Sequence, residues 1–73
     1  MVTDIYVVTA RHSRTGDDEG HGIYDSRNLA DTAAKDLADD YKYIIVQKCR
    51  VYKGPDDEIA HVYSAITLYE IEH

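Results

Sequence analysis

Residues 11–22 read RHSRTGDDEGHG, and no other stretch gathers so many groups that could do chemistry. Two Arg, two His, three consecutive acids and three Gly lie within it. Two chemistries can be asked of such a run: metal binding and phosphate binding. His12, Asp17, Asp18, Glu19 and His21 offer nitrogen and oxygen ligands. Calcium loops, however, alternate acids with other residues and place a bidentate Glu at a fixed distance, which this run does not do. Zinc needs His residues held rigidly, and three Gly work against that. A Walker-type phosphate loop needs a Lys after its second Gly, and the run has no Lys. Gly20-His21-Gly22 begins a dinucleotide fingerprint, but the third Gly position is Asp25 and the helix starts too late. The plain reading is the polar tip of a hairpin, with a small metal- or ligand-binding loop as an alternative.

Catalysis elsewhere in the chain has little to draw on. Ser13, Ser26, Cys49 and four His are present, yet none forms a local nucleophile–base motif. Cys49 lies within an apolar run, where a buried, inert thiol is expected. As the one cysteine, it allows neither an intramolecular disulfide nor a multi-Cys zinc site. The expectation is a protein without catalytic residues, cofactor or metal.

The elements that would position these residues follow from patterning. Residues 4–10 are β-branched and aromatic and predict a strand, and Gly22-Ile23-Tyr24 resumes one after the polar loop. From residue 25 the sequence reads DSRNLADTAAKDLADDY. Ala30, Ala33, Ala34, Leu37 and Tyr41 recur at helical spacing, with Ser26 or Asp25 placed to cap the first turn. A stripe made mostly of Ala predicts a helix lying close against a sheet. Residues 41–53 predict a third strand, whose odd positions Tyr43, Ile45, Cys49 and Val51 form an apolar face interrupted by Gln47. GPDD predicts a turn. Residues 60–71 predict a fourth strand returning antiparallel, with a helix over 61–71 as the alternative. Together these give a single α+β domain over residues 1–73: an antiparallel sheet of three to four strands with one packed helix, in the order β-β-α-β-β.

Composition limits what such a domain can bind. Fourteen acids against eight bases leave a formal charge of −6, which disfavours direct binding to a nucleic-acid backbone. No apolar stretch approaches the roughly 20 residues of a membrane span, and residues 1–20 have no signal-peptide core, so the chain is expected in the cytoplasm. Seven Tyr replace the absent Phe and Trp, and several are expected on the open sheet face as contact area. Charge is segregated, with Asp31, Asp36, Asp39 and Asp40 on the helix and Lys48, Arg50 and Lys53 on the third strand.

The run GIYDSRNLADTAAKDL, preceded by a Tyr-Val-Val strand and an acidic loop, resembles a group of very short phage and bacterial proteins of unknown function. In size and layout the chain is also similar to small phage-encoded inhibitors of bacterial RNA polymerase, of the Xanthomonas-phage type. That second resemblance implies a regulator that binds a bacterial machine, most directly RNA polymerase, in the host cytoplasm and inhibits or modulates transcription. Arg11, Arg14, Lys48 and Arg50 would then meet an acidic partner, with the domain itself a monomer or weak dimer. The alternative is an acidic mimic of nucleic acid, anti-CRISPR-like in action, using Asp31, Asp36, Asp39 and Asp40.

Overall fold

The structure is a computed structural model and describes residues 1–56 and 59–73, apart from the side chains of His21 and Ala60. Strand β1 spans Val2–Arg11, β2 Gly20–Tyr24, helix α1 Arg27–Leu37, β3 Tyr43–Lys53 and β4 Ile59–Glu72. The expected α+β class and chain order are found. The tail is a strand, paired antiparallel with β3 from Ile59 to Glu72. Spatially the sheet runs β2-β1-β3-β4. The first strand is therefore internal, held by β2 on one side and over its whole length by β3 on the other.

Residues paired across antiparallel strands point to the same face of the sheet, so the register sorts every side chain. The even residues of β1 and β3 face the helix. Val8, Ala10, Ile44 and Val46 pack there against Ala30 and Ala34, and all six are fully buried. The two Ala allow the helix to seat directly on the branched side chains of the sheet. Leu37 and Tyr41, expected on the same stripe, only border this core, as do Tyr6, Tyr24, Tyr69 and Ile71. Ser26 is the cap, and its side-chain oxygen accepts from the Leu29 amide at 3.2 Å. Gly22 has a local purpose: a Cβ there would lie 2.5 Å from the Tyr24 ring, which folds back over the strand.

Two further features bear on function. Helix α1 packs on β1, β2 and β3 and meets β4 through Asp31, while Ile5, Thr9, Tyr43 and Val51, which the register places on the opposite face, are buried as well. The outer strand β4 is also irregular, with register shifts opposite Val46/Gln47, Arg50/Val51 and Tyr52/Lys53 that leave Leu68 and Tyr63 without a partner. Bulges of this kind twist an edge away from the flat ladder that another strand would need.

Candidate docking surface

The loop that prompted the question of chemistry is braced by its own charges. Arg11 and Gly20–Gly22 belong to the flanking strands, so the connection itself is residues 12–19. Arg11 Nε donates to Asp18 at 2.5 Å and its Nη1 to the Arg14 carbonyl at 3.2 Å. His12 lies 2.9 Å from Glu19 and stacks on Tyr41, and Arg14 reaches Glu72 at 3.4 Å. A short turn closes with the Gly16 amide donating to the Ser13 carbonyl, and Glu19 bonds back to Ala10. Of the groups that read as metal ligands, Asp18 is engaged by Arg11 and Glu19 by His12, and the His21 side chain lies outside the described residues. Among the described residues no three His, Cys, Asp or Glu converge as a metal site.

The candidate partner-binding cations divide into two places. Arg11 and Arg14 stay at the loop end of the sheet, where the Arg14 guanidinium sits 5.9 Å from the centre of the Tyr43 ring. Tyr43 donates to Glu70, and this hydrogen bond, with burial second, pushes its hydroxyl above the ordinary tyrosine range. Lys48 and Arg50 lie at the other end, on the helix side of the sheet but beyond the helix. There they flank Asp4, with Arg50 Nε 3.2 Å from one carboxylate oxygen and Lys48 Nζ 3.6 Å from the other. The hydrogen bond from Arg50 is the main cause holding the Asp4 carboxyl below its usual range, and the charges of both cations add to it.

This end forms a continuous surface that α1 leaves open. Lys48 pairs with Ile66, Arg50 with Ser64 and Tyr52 with His61, so six side chains of β3 and β4 share the face. Asp4, Lys48, Arg50, Ser64 and Ile66 line a cleft of about 200 Å³. Tyr52, Tyr63 and Ile66 are 41%, 56% and 55% exposed, and His61 packs edge-on against Tyr63. Exposed tyrosine beside arginine and an aliphatic side chain is the composition found at the centre of protein interfaces.

The helix acids do not form one face. Asp31 is half-buried, accepts from the Tyr69 hydroxyl at 2.5 Å and lies 3.8 Å from Arg27. Desolvation, then that hydrogen bond, pushes the Tyr69 hydroxyl up to about 12. Asp36 is exposed on the helix, while Asp39 and Asp40 follow it in a turn. Asp31 therefore ties α1 to β4, against the expectation of a solvated acid. Cys49, expected buried, is partly exposed on the face opposite the helix. Of the seven Tyr, five pack on or beside the core, and Tyr52 and Tyr63 are the exposed ones.

Sequence reasoning found Lys48 and Arg50 but missed Asp4, Ser64 and Ile66. Their alignment depends on β1 lying beside β3, which periodicity within either strand does not reveal. Compared with protein families, curated proteins and solved structures, the chain has no significant match in any of the three. No described helix is long and apolar enough to cross a membrane.

Proposed function

We propose that this domain acts by docking on a larger bacterial protein assembly in the cytoplasm, with RNA polymerase the first target to test, and that it inhibits or modulates transcription without chemistry of its own. The observation that carries the docking half is the open end of the helix-side face, where Lys48 and Arg50 stand beside Tyr52 and Ile66. The polymerase half rests on likeness of size and layout to phage-encoded inhibitors. Asp4 has a defined part in this reading. It keeps the two cations extended across the sheet at moderate cost, and a carboxylate of the partner would replace or share it. Arg11 and Arg14, already engaged by Asp18 and Glu72, take a lesser part.

The test uses purified bacterial polymerase and the domain in stoichiometric amounts. Binding and reduced transcription are expected, with a double reversal of Lys48→Glu and Arg50→Glu weakening association mainly through the on-rate at low salt. Asp4→Asn, which frees both cations, is expected to strengthen it. Full transcription at excess domain refutes polymerase inhibition. Binding that survives the reversal but is lost when Asp36, Asp39 and Asp40 are neutralised favours the acidic-mimic reading instead.

A further inference from the structure

Strand β1 is longer than its neighbour on the outer side. Register pairs β2 with residues 6–10 alone, so residues 2–5 have β3 on one side and no strand on the other. The ladder decides which backbone groups face that gap. Met1 and Lys53 exchange both hydrogen bonds, at 3.1 and 2.8 Å, so the odd residues of β1 bond β3 and the even ones point away. The Ala10 carbonyl, which accepts from the Glu19 amide on the β2 side, fits the same alternation. Val2 and Asp4 therefore turn two amides and two carbonyls toward the gap, where no described backbone group meets them.

A groove of about 360 Å³ lies alongside. Strand β2 leaves its line after Tyr24, where Asp25 and Ser26 turn the chain into α1, and the groove opens at that departure. Ile5 is its buried floor, and Ile23, Leu29 and Ile59 line it while 63%, 54% and 45% exposed. Asp25 and Lys53 are its charged groups, and Lys53 has no anionic partner among the described residues. A bare ladder beside an apolar recess is the combination that strand addition uses: main-chain bonds give affinity and the recess selects alternate side chains.

We infer that this edge takes an extended segment of a partner protein as a further strand, antiparallel to β1 and in the line that β2 abandons. The free amides and carbonyls select a strand as the occupant, because a helix keeps its own backbone groups bonded internally. Paired residues share a face of the sheet. The segment's residue opposite Thr3 therefore enters the groove beside Ile5, and the residue opposite Met1, two positions later, lies in the row of Lys53. That chemistry describes an aliphatic residue followed two positions on by Asp or Glu, the acid meeting the unpaired Lys53. The opposite edge of the sheet offers no such ladder, since β4 is bulged. The inference does not rest on the polymerase reading, since it concerns the backbone edge of β1 and not the side chains of Lys48 and Arg50.

The probe is the capped peptide Ser-Thr-Ile-Thr-Glu-Thr, added to the isotope-labelled full chain and followed by amide correlation spectra. Saturable shifts centred on the Val2 and Asp4 amides are expected, with a dissociation constant on the order of 1 mM or below. Val2→Pro removes an amide that faces the gap and none that bonds β3, so the spectrum of the fold should persist while affinity falls about 10-fold. Leu29→Lys, at an exposed position of the groove, should weaken binding to a similar degree. Lys53→Glu should also weaken it, and a peptide with Lys in place of Glu should recover the loss. No shift of these amides at about 5 mM peptide overturns the inference, as does binding indifferent to both Val2→Pro and Leu29→Lys. Shifts centred on Ile23 would place the segment on the outer edge of β2 and overturn it too. So would an edge already closed by a second copy, seen as shifts of the Val2 and Asp4 amides when the free chain is diluted.

Discussion

Ala34 offers the sharpest test of how this fold is held together. It is fully buried, and so are Ala30 on the same helix and Val8, Ala10, Ile44 and Val46 of the sheet beneath it. Ala34→Leu adds three carbons where that layer leaves no room. Leu is nearly as good a helix former as Ala, so propensity contributes little, and the cost is one of overpacking. Extra methylenes in a filled core cost about 1–3 kcal/mol, and in a domain of this size each kcal/mol lowers the melting temperature by about 4–8 °C. A fall of about 10–15 °C is expected by thermal melting followed by circular dichroism, with Lys35→Leu as the control on the exposed side. Combining Ala34→Leu with Val46→Ala should cost less than the two separately, because the added bulk meets the cavity. An Ala34→Leu protein that melts within about 2 °C of the parent would refute close seating of the helix, since that shift is under 1 kcal/mol.

Leu37 borders the core without being buried, so Leu37→Ala should cost about 1–2 kcal/mol, below the range for a fully buried Leu, and Asp36→Ala less than about 0.5. Urea unfolding separates the two. In an alkaline titration followed by tyrosinate absorbance, Tyr69 and Tyr43 should ionise above the ordinary tyrosine range. A folded-state hydroxyl value raised to about 12 means stability present below pH 10 is lost as pH rises toward 12. Tyr69→Phe should flatten that loss, and an unchanged alkaline limb would remove the Asp31 contact from the account. Zinc or calcium at micromolar levels should leave the melting temperature unmoved, and a rise abolished by His12→Ala would restore the loop as a metal site.

The order of elements was legible because each leaves a local trace. Ser26 caps, Ala30 and Ala34 repeat at helical spacing, and the strands are rich in Val, Ile and Tyr. Sheet order was not legible, because β1 meets β3 through pairs such as Val2 with Tyr52, whose specificity lies in two distant segments at once. The same gap hid the site. Lys48 and Arg50 read as a charged stripe on one strand, and only the lateral pairing adds Asp4 on one side and Ser64 and Ile66 on the other. Asp31 was misread for a related reason. Helical periodicity places it off the apolar stripe, and the hydroxyl that claims it comes from β4.

The internal position of the first strand has a consequence for how the molecule comes into being. Its pairings with β3 join residues from Arg11 with Tyr43 to Val2 with Tyr52, so the centre of the sheet is also its most distant set of sequence partners. The β1–β2 hairpin and the helix can form early from neighbouring residues, but the β1–β3 ladder must close a long loop before any of its bonds form. Helix and hairpin then wait, half-covered, for residues 43–53, which can first pair locally with β4 from Lys53 with Ile59 onward. Val8→Ala and Ile44→Ala should accordingly slow refolding, whereas Ile71→Val should mainly hasten unfolding, as stopped-flow traces would read. On a ribosome β1 stays without its principal partner until residues 43–53 have emerged.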